Sequence, residues 1–346
     1  MQLNRRYRGQ TEGAIGGMDR PSSGGRSTLP LLFFAIVVCA CLSLTSATAH
    51  GKRIAVHNDS VPLTMDLEKG RFGTGKLYFN DPVDLAVDKD DSIYVLDAGN
   101  YRIQIVSDKG RFEDEWGARG EQDGYFDEPV ALAINPDSDF LVVVDRGTYR
   151  IHKFELDGSH LLSFGEEGAR KGRLKNPVDV TVDTLDYMYV LDRDRHMILK
   201  FHRSGAFVEE WGDKGKLEER LQDPVSIAYS DELTGYVYVL DAGKMALFKY
   251  QRDGELKEVI NLVPDVLEEG MKPVKVEVNK ENEVFVLDGL HGKLIKLTAY
   301  EINVFQLTGD NLVIEEPAGL AIDENNNVYV SDLKKNRYMK FLLELN

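Results

Sequence analysis

Six prolines set the pattern of this chain. Pro82, Pro129, Pro177, Pro224, Pro273 and Pro317 stand 47, 48, 47, 49 and 44 residues apart, and each opens the same kind of segment. VDLAVD, VALAIN, VDVTVD, VSIAYS, VKVEVN and AGLAID follow them in turn. After a short polar turn comes a second apolar run, ending at Asp97, Asp145, Asp192, Asp241, Asp288 and Asp332. A third run follows in every copy (RIQIV, RIHKF, MILKF, ALFKY, KLIKL, RYMKF), and a fourth is visible in five, as in RFEDEW ending at Trp116. Period-two alternation, β-branched and aromatic content and Gly/Asp turns favour strands over helices. A unit of four short strands cannot bury its apolar faces alone and must stack on its neighbours. The expected fold is therefore all-β: a six-bladed β-propeller of four-stranded antiparallel blades.

Six such units nearly fill residues 50–346, so one domain is expected there, with blades starting near 82, 129, 177, 224, 273 and 317. The last copy ends after its third strand, and without a fourth the ring would keep an open edge. The segment GRFGTGKLYFNDP ending at Pro82 matches GARGEQDGYFDEP ending at Pro129, with Gly70 over Gly117 and Gly73 over Gly120. Residues 63–69 thereby take the place of a fourth strand. This N-terminal strand is expected to close the ring against residues 337–345. Residues 53–57 read as a further short strand or a rim segment.

An apolar run at residues 31–44 (LLFFAIVVCACLSL) follows a net-basic stretch and precedes Ala47-Thr48-Ala49, a small-x-small cleavage site. Together these read as a secretory signal peptide over residues 1–49, with Met18 an alternative start. The run is short of the roughly 20 residues a membrane span needs. Val38-Cys39-Ala40-Cys41 resembles a lipobox, and only a lipid on Cys41 would tie the chain to a membrane; the site after Ala49 is the cleaner match. Export is expected, to the periplasm or outside the cell. Five arginines and two acids fall in the leader, so residues 50–346 hold 37 basic and 56 acidic residues, a net −19, and no cysteine. Disulfides, Cys-ligated zinc and thiol catalysis are thereby excluded from the mature chain. Because so acidic a chain repels a phosphate backbone, no nucleic-acid partner is expected.

DAGNYRI (residues 97–103), DRGTYRI (residues 145–151) and the loops EWGARGEQDGYFDEP and SFGEEGARKGRLKNP carry a resemblance to the NHL-repeat family. It runs through all six repeats and fades in the fourth and fifth, DAGKMAL and DGLHGKL. The resemblance implies the six-bladed propeller and looks most like the secreted or periplasmic bacterial type. It singles out no function, since the family has protein-binding, RNA-binding, receptor and enzymatic members.

Five residues after each repeat's Asp stand Arg102, Arg150, Met197, Ala246, Lys293 and Arg337. The pairs Asp97–Arg102, Asp145–Arg150, Asp288–Lys293 and Asp332–Arg337 read as clasps across a hairpin rather than a ring of anion-binding cations. Trp116, Phe164 and Trp211 recur at the end of the fourth strand and read as packing between blades. Residues 70–76 satisfy G-x-x-x-x-G-K, but Leu77 stands where a magnesium-binding hydroxyl is required and no helix follows, so this is a propeller loop. There is no G-x-S-x-G and no H-E-x-x-H. The histidines (His50, His57, His152, His160, His196, His202 and His291) show no ligand spacing; His50, next to the cleavage site, would be the mature N-terminus. Asp88, Asp183 and Asp323, with Asn135 and Asn279, read as Asx-type turn residues.

Two residues after each proline come Asp84, Ala131, Asp179, Ser226, Lys275 and Gly319; four residues after come Ala86, Ala133, Thr181, Ala228, Glu277 and Ala321. These positions face the axis, where innermost strands crowd and small residues fit. Asp84 and Asp179, with Glu277 one layer away, form a candidate oxygen-ligand set for a cation such as calcium. The family resemblance adds that six-bladed lactonases and the amidating lyase carry metal in the channel. The competing and preferred reading is that Lys275 neutralises the two carboxylates and that no cofactor is bound. The expected function is a monomeric, non-catalytic scaffold that binds a protein or peptide, of basic character, through loops on one face. The alternative is a metal-dependent lyase or lactonase-like enzyme with its centre in the channel.

Overall fold

A computed structural model of the chain describes residues 44–49, 52–212, 216–262, 270–298 and 301–343. The leader up to residue 43, with Cys39 and Cys41, lies outside the described residues, as does His50. The residues of the expected cleavage site end a strand, Leu44–Ala49, that pairs antiparallel with the start of a long strand, Lys52–Lys69.

Each of the six prolines opens a strand: Pro82–Val87, Pro129–Ile134, Pro177–Val182, Pro224–Ser230, Pro273–Val278 and Pro317–Ile322. Proline has no N–H to give to a ladder, so the first position of an edge strand suits it. Opposite each proline stands the repeat's Asp, as in Pro82↔Asp97 and Pro224↔Asp241, and in all six repeats the register shifts directly after the proline. The second strand of every repeat, Ile93–Asp97 for example, is buried along nearly its whole length because sheets pack against both of its faces.

Among the described residues these strands form four four-stranded antiparallel sheets and one nine-stranded sheet. The large sheet holds the fifth and sixth repeats, joined by Lys52–Lys69. That strand runs antiparallel to Arg337–Leu342, with Thr64↔Leu342 and Lys69↔Tyr338, and so supplies the last repeat with its fourth strand. Its other edge pairs in parallel with Glu301–Thr308, from Ala55↔Glu301 to Thr64↔Thr308. Residues 53–57 are thus neither separate nor a rim segment: they begin the same long strand.

The inner strands touch in sequence order, and Pro317–Ile322 returns to Pro82–Val87, which closes a ring. Six clusters of buried side chains fill the spaces between successive repeats. The last of them packs Ala321, Tyr329 and Tyr338 against Leu85, Ile93 and Val95, last repeat against first. Outer-strand aromatics seal these junctions. Trp211 of the third repeat lies under the turn at Gly254 of the fourth, where φ is +82° and a Cβ would fall 2.7 Å from the indole. Phe164 and Trp116 meet Gly205 and Gly158 in the same way.

Candidate functional site: the charged floor of the ring

A cavity of about 110 Å³ lies on the ring axis, lined by inner strands of all six repeats. Ala86, Ala133, Thr181 and Ala321 form part of its wall, with Lys275 and Glu277 as its charged members. An inner strand is an edge strand, so its axis-facing N–H groups need acceptors from elsewhere. The residue two after the proline provides one to the next repeat. Asp84 Oδ2 accepts from Leu132 N–H at 3.1 Å, Asp179 Oδ2 from Ile227 N–H at 3.0 Å, and Ser226 Oγ from Val276 N–H at 3.1 Å.

Lys275 then ties alternate repeats together. Its buried ammonium donates to Asp84 Oδ2 at 2.9 Å and to Asp179 Oδ1 at 2.8 Å, while Ser226 Oγ donates to Asp179 Oδ2 at 2.7 Å. Burial alone would discharge the lysine, but Asp179 and Asp84 outweigh it and hold its pKa well above the ordinary range. Asp84 is pushed up to about 6 by burial, with Lys275 pulling down and Asp179 adding repulsion. Glu277 is pushed up to about 8, again by burial first, with Lys275 opposing and both aspartates adding to the rise. Its carboxyl is therefore largely protonated at neutral pH.

This donor set does not fit calcium, which takes six to eight oxygens. The facing oxygens of Asp84 and Asp179 are committed to the ammonium, and Asp179 Oδ2 to Ser226 and Ile227. Asp84 Oδ1 alone has no hydrogen-bond partner among the described residues. No three His, Cys, Asp or Glu side chains among those residues are grouped to hold a metal. The sequence places Asp84, Asp179 and Glu277 near one another, and Lys275 stands where the cation would be.

The recurrent Asp does more than face a basic residue. Asp145, Asp192, Asp241 and Asp332 each accept two backbone N–H groups from the residues just before the proline; Asp192, for instance, binds Lys175 N–H at 2.6 Å and Asn176 N–H at 3.1 Å. Asp97 and Asp288 bind Asn80 and Lys272 likewise. The expected clasp is made by Arg102 on Asp97 at 2.8 Å and by Arg337 on Asp332 at 3.4 Å. Arg150 instead pairs with Asp123. Asp288 additionally holds His291 Nδ1 at 2.6 Å. Lys293 lies directly across the hairpin from Asp288. The Asx turns take the expected form, with an added contact: Tyr94, Tyr189 and Tyr329 donate their hydroxyls to Asp88, Asp183 and Asp323.

Three loops before the prolines share one backbone, marked by the parallel bridges Phe72↔Phe79, Arg119↔Phe126 and Glu167↔Leu174. Residues 70–76 belong to the first. Each loop is pinned at the same N–H by a different side chain: Leu77 N–H by Gln104 Oε1 at 2.8 Å, Gly124 N–H by His152 Nδ1 at 3.3 Å and Gly172 N–H by Glu210 Oε2 at 2.9 Å. His152 also shares Ser163 Oγ with His160, at 2.7 and 2.8 Å. Gly124 N–H donates to Nδ1, so the ring proton of neutral His152 sits on Nε2. Burial lowers its pKa to about 4, with nearby Asp145 opposing the shift and His160 adding to it.

Residues 79–106, the first strands of the first repeat and the loop residues before them, match the NHL repeat. That stretch carries an NHL repeat. Protein brain tumor of Drosophila melanogaster is 32% identical over 115 residues, which is 33% of this chain and 11% of that protein. The chain thus spans only a small part of the curated relative's length. Among solved structures, streptogramin B lyase aligns over 75% of this chain and 78% of its own, at 18% identity and a TM-score of 0.54. A catalytically inactive virginiamycin B lyase from Staphylococcus aureus with quinupristin aligns over 78% and 82%, at 15% identity and a TM-score of 0.55. Hydrazine synthase of Kuenenia stuttgartiensis aligns over 75% and 76%, at 13% identity and a TM-score of 0.53. At these identities the likeness is one of fold, a β-propeller.

Proposed function

We propose that this chain is an exported, six-bladed NHL propeller that binds a protein or peptide partner through loops on one face and carries out no reaction of its own. The observation that carries this reading is the set of three pinned loops. Phe72, Arg119 and Glu167 occupy one position on one backbone, so the same rigid frame presents an aromatic ring, a cation and an anion in turn. Phe72 is 71% exposed. Fixed backbones with varied tips suit recognition, because little loop entropy is lost on binding. The channel supports the same reading, since its carboxylates serve Lys275 and the backbone of neighbouring repeats.

The net charge of −16 favours a basic partner through long-range steering. The test is to titrate the purified full chain with a fluorescent lysine- and arginine-rich peptide from about 50 to about 500 mM salt. Saturable binding that weakens as salt rises is expected, and it should weaken further in Phe72→Ala. Absence of binding at every salt concentration, with one tightly held divalent cation per chain by elemental mass spectrometry, would return the metal-dependent enzyme.

A further inference from the structure

The junction between the third and fourth repeats holds a second cavity, of about 250 Å³, on the outer side of the sheets. Its lining includes Glu209 and Glu210 on the strand Phe207–Trp211, Glu219 in the following loop and Asp253 in the outer turn of the fourth repeat. Four lining residues are acidic and none is basic. Trp211 and Tyr250 border the same cavity, 4% and 3% exposed. Neither the indole N–H of Trp211 nor the hydroxyl of Tyr250 has a hydrogen-bond partner among the described residues. A buried donor left unmade costs about 1–3 kcal/mol, so two of them beside one cavity call for a ligand group. The hydroxyl is particular to this junction. Val106, Phe154, Phe201, Leu297 and Phe341 stand at the same place in the other repeats.

We propose that this cavity receives a basic side chain, arginine above all, of the peptide partner. The inference rests on the scaffold reading given above. Its volume lies below the about 300–1,000 Å³ of pockets for drug-sized ligands and suits one long side chain. The guanidinium donates to Asp253 and Glu219 at the rim. Its methylene stem lies along Leu256, and peptide carbonyls beside it accept the Trp211 indole N–H and the Tyr250 hydroxyl. Arg195 already pairs with Glu210 and Lys200 with Glu209, so Asp253 and Glu219 are the carboxylates that answer the cation, and within a partly dry pocket that attraction is stronger than at an open surface. A second groove, of about 620 Å³, shares Glu219 and Leu256 with this cavity and runs on along the strand Leu256–Asn261, which gives the rest of the peptide a path.

The test uses the full chain and N-acetyl-arginine methylamide, with the citrulline analogue as a neutral isostere. The chain has two tryptophans, so its indole N–H resonances report the site directly. One of the two should shift saturably with the arginine probe, and the citrulline probe should bind at least about tenfold more weakly. Tyr250→Phe and Asp253→Asn should each weaken the arginine probe severalfold while leaving the thermal midpoint unchanged. Equal binding of the two probes, or full affinity in both variants, overturns the proposal. So does an unmoved indole in a chain that still binds its peptide partner, and in that case the scaffold reading stands without this pocket. Probe binding as expected in a chain for which no peptide partner is found supports the pocket and counts against the scaffold reading alone.

Discussion

His152 stands where Gln104 stands one repeat earlier, and it pins the loop with a group that titrates. Gln104 both accepts from Leu77 N–H and donates to Tyr78 O, at 2.8 and 2.7 Å. His152 accepts from Gly124 with Nδ1, but its Nε2 is buried against aromatic rings without a partner among the described residues. The folded protein therefore resists protonating it, which is why its pKa falls to about 4 from 6.5. The unfolded chain takes up that proton first. The stabilising contribution is present above pH 6.5 and is lost as pH falls towards 4, by about 3 kcal/mol in all. His152→Gln restores the side chain of the preceding repeat and should fold normally. Urea midpoints at pH 7 and pH 4.5 should lie closer together in the variant than in the wild type; equal gaps would show that His152 is not the sensitive group.

The strand Lys52–Lys69 carries the ring closure. Leu63 is 3% exposed and packs among Phe285, Leu307, Val330 and Phe341, side chains of the fifth and sixth repeats. Leu63→Ala should cost about 2–5 kcal/mol by chemical denaturation. Val61→Ala, two residues away on an exposed position, should stay near zero. Much of this level was legible in the sequence, because alternation survives in every repeat: all six prolines open a first strand and all six aspartates end a second. The closing strand was legible through the loop that follows it, GRFGTGKLYFNDP. Its parallel pairing with Glu301–Thr308 was not, since a parallel partner on the far edge leaves no mark on period-two alternation. At the site, the distance from the proline placed Asp84, Asp179 and Lys275 on the axis. Their service to the next repeat's N–H groups was hidden, because it depends on how neighbouring sheets are staggered. Trp211 was legible as packing between repeats, but its meeting with Tyr250 at one cavity was hidden, since that depends on the contact of two repeats.

Across the whole ring, Lys275 acts as a three-way tie between the first, third and fifth repeats. Lys275→Met strands two buried carboxylates and should destabilise the protein by about 3–5 kcal/mol. Adding Asp84→Asn and Asp179→Asn should recover most of that loss, because the amide oxygens still accept from Leu132 and Ile227 while the uncompensated charge is gone. Glu277, above this tie, sets the alkaline side of the pH profile. Its pKa rises from 4.5 to about 8 in the fold, so the folded protein holds a proton that the unfolded chain releases. That stabilising contribution is full below pH 4.5 and is lost as pH climbs towards 8, by up to about 5 kcal/mol before water in the cavity screens it. Asp84, raised to about 6, adds to that loss at lower pH, while His152 works in the opposite direction between pH 4 and 6.5, so the contributions partly offset there and only the Glu277 loss remains above. Glu277→Gln carries no charge at any pH. Its denaturation midpoint should gain on that of the wild type as pH rises from 6.5 to about 8, and the difference between the two should level off above that pH. A constant difference would mean that the carboxyl is already ionised in the fold, with Lys275 holding three negative charges instead of two.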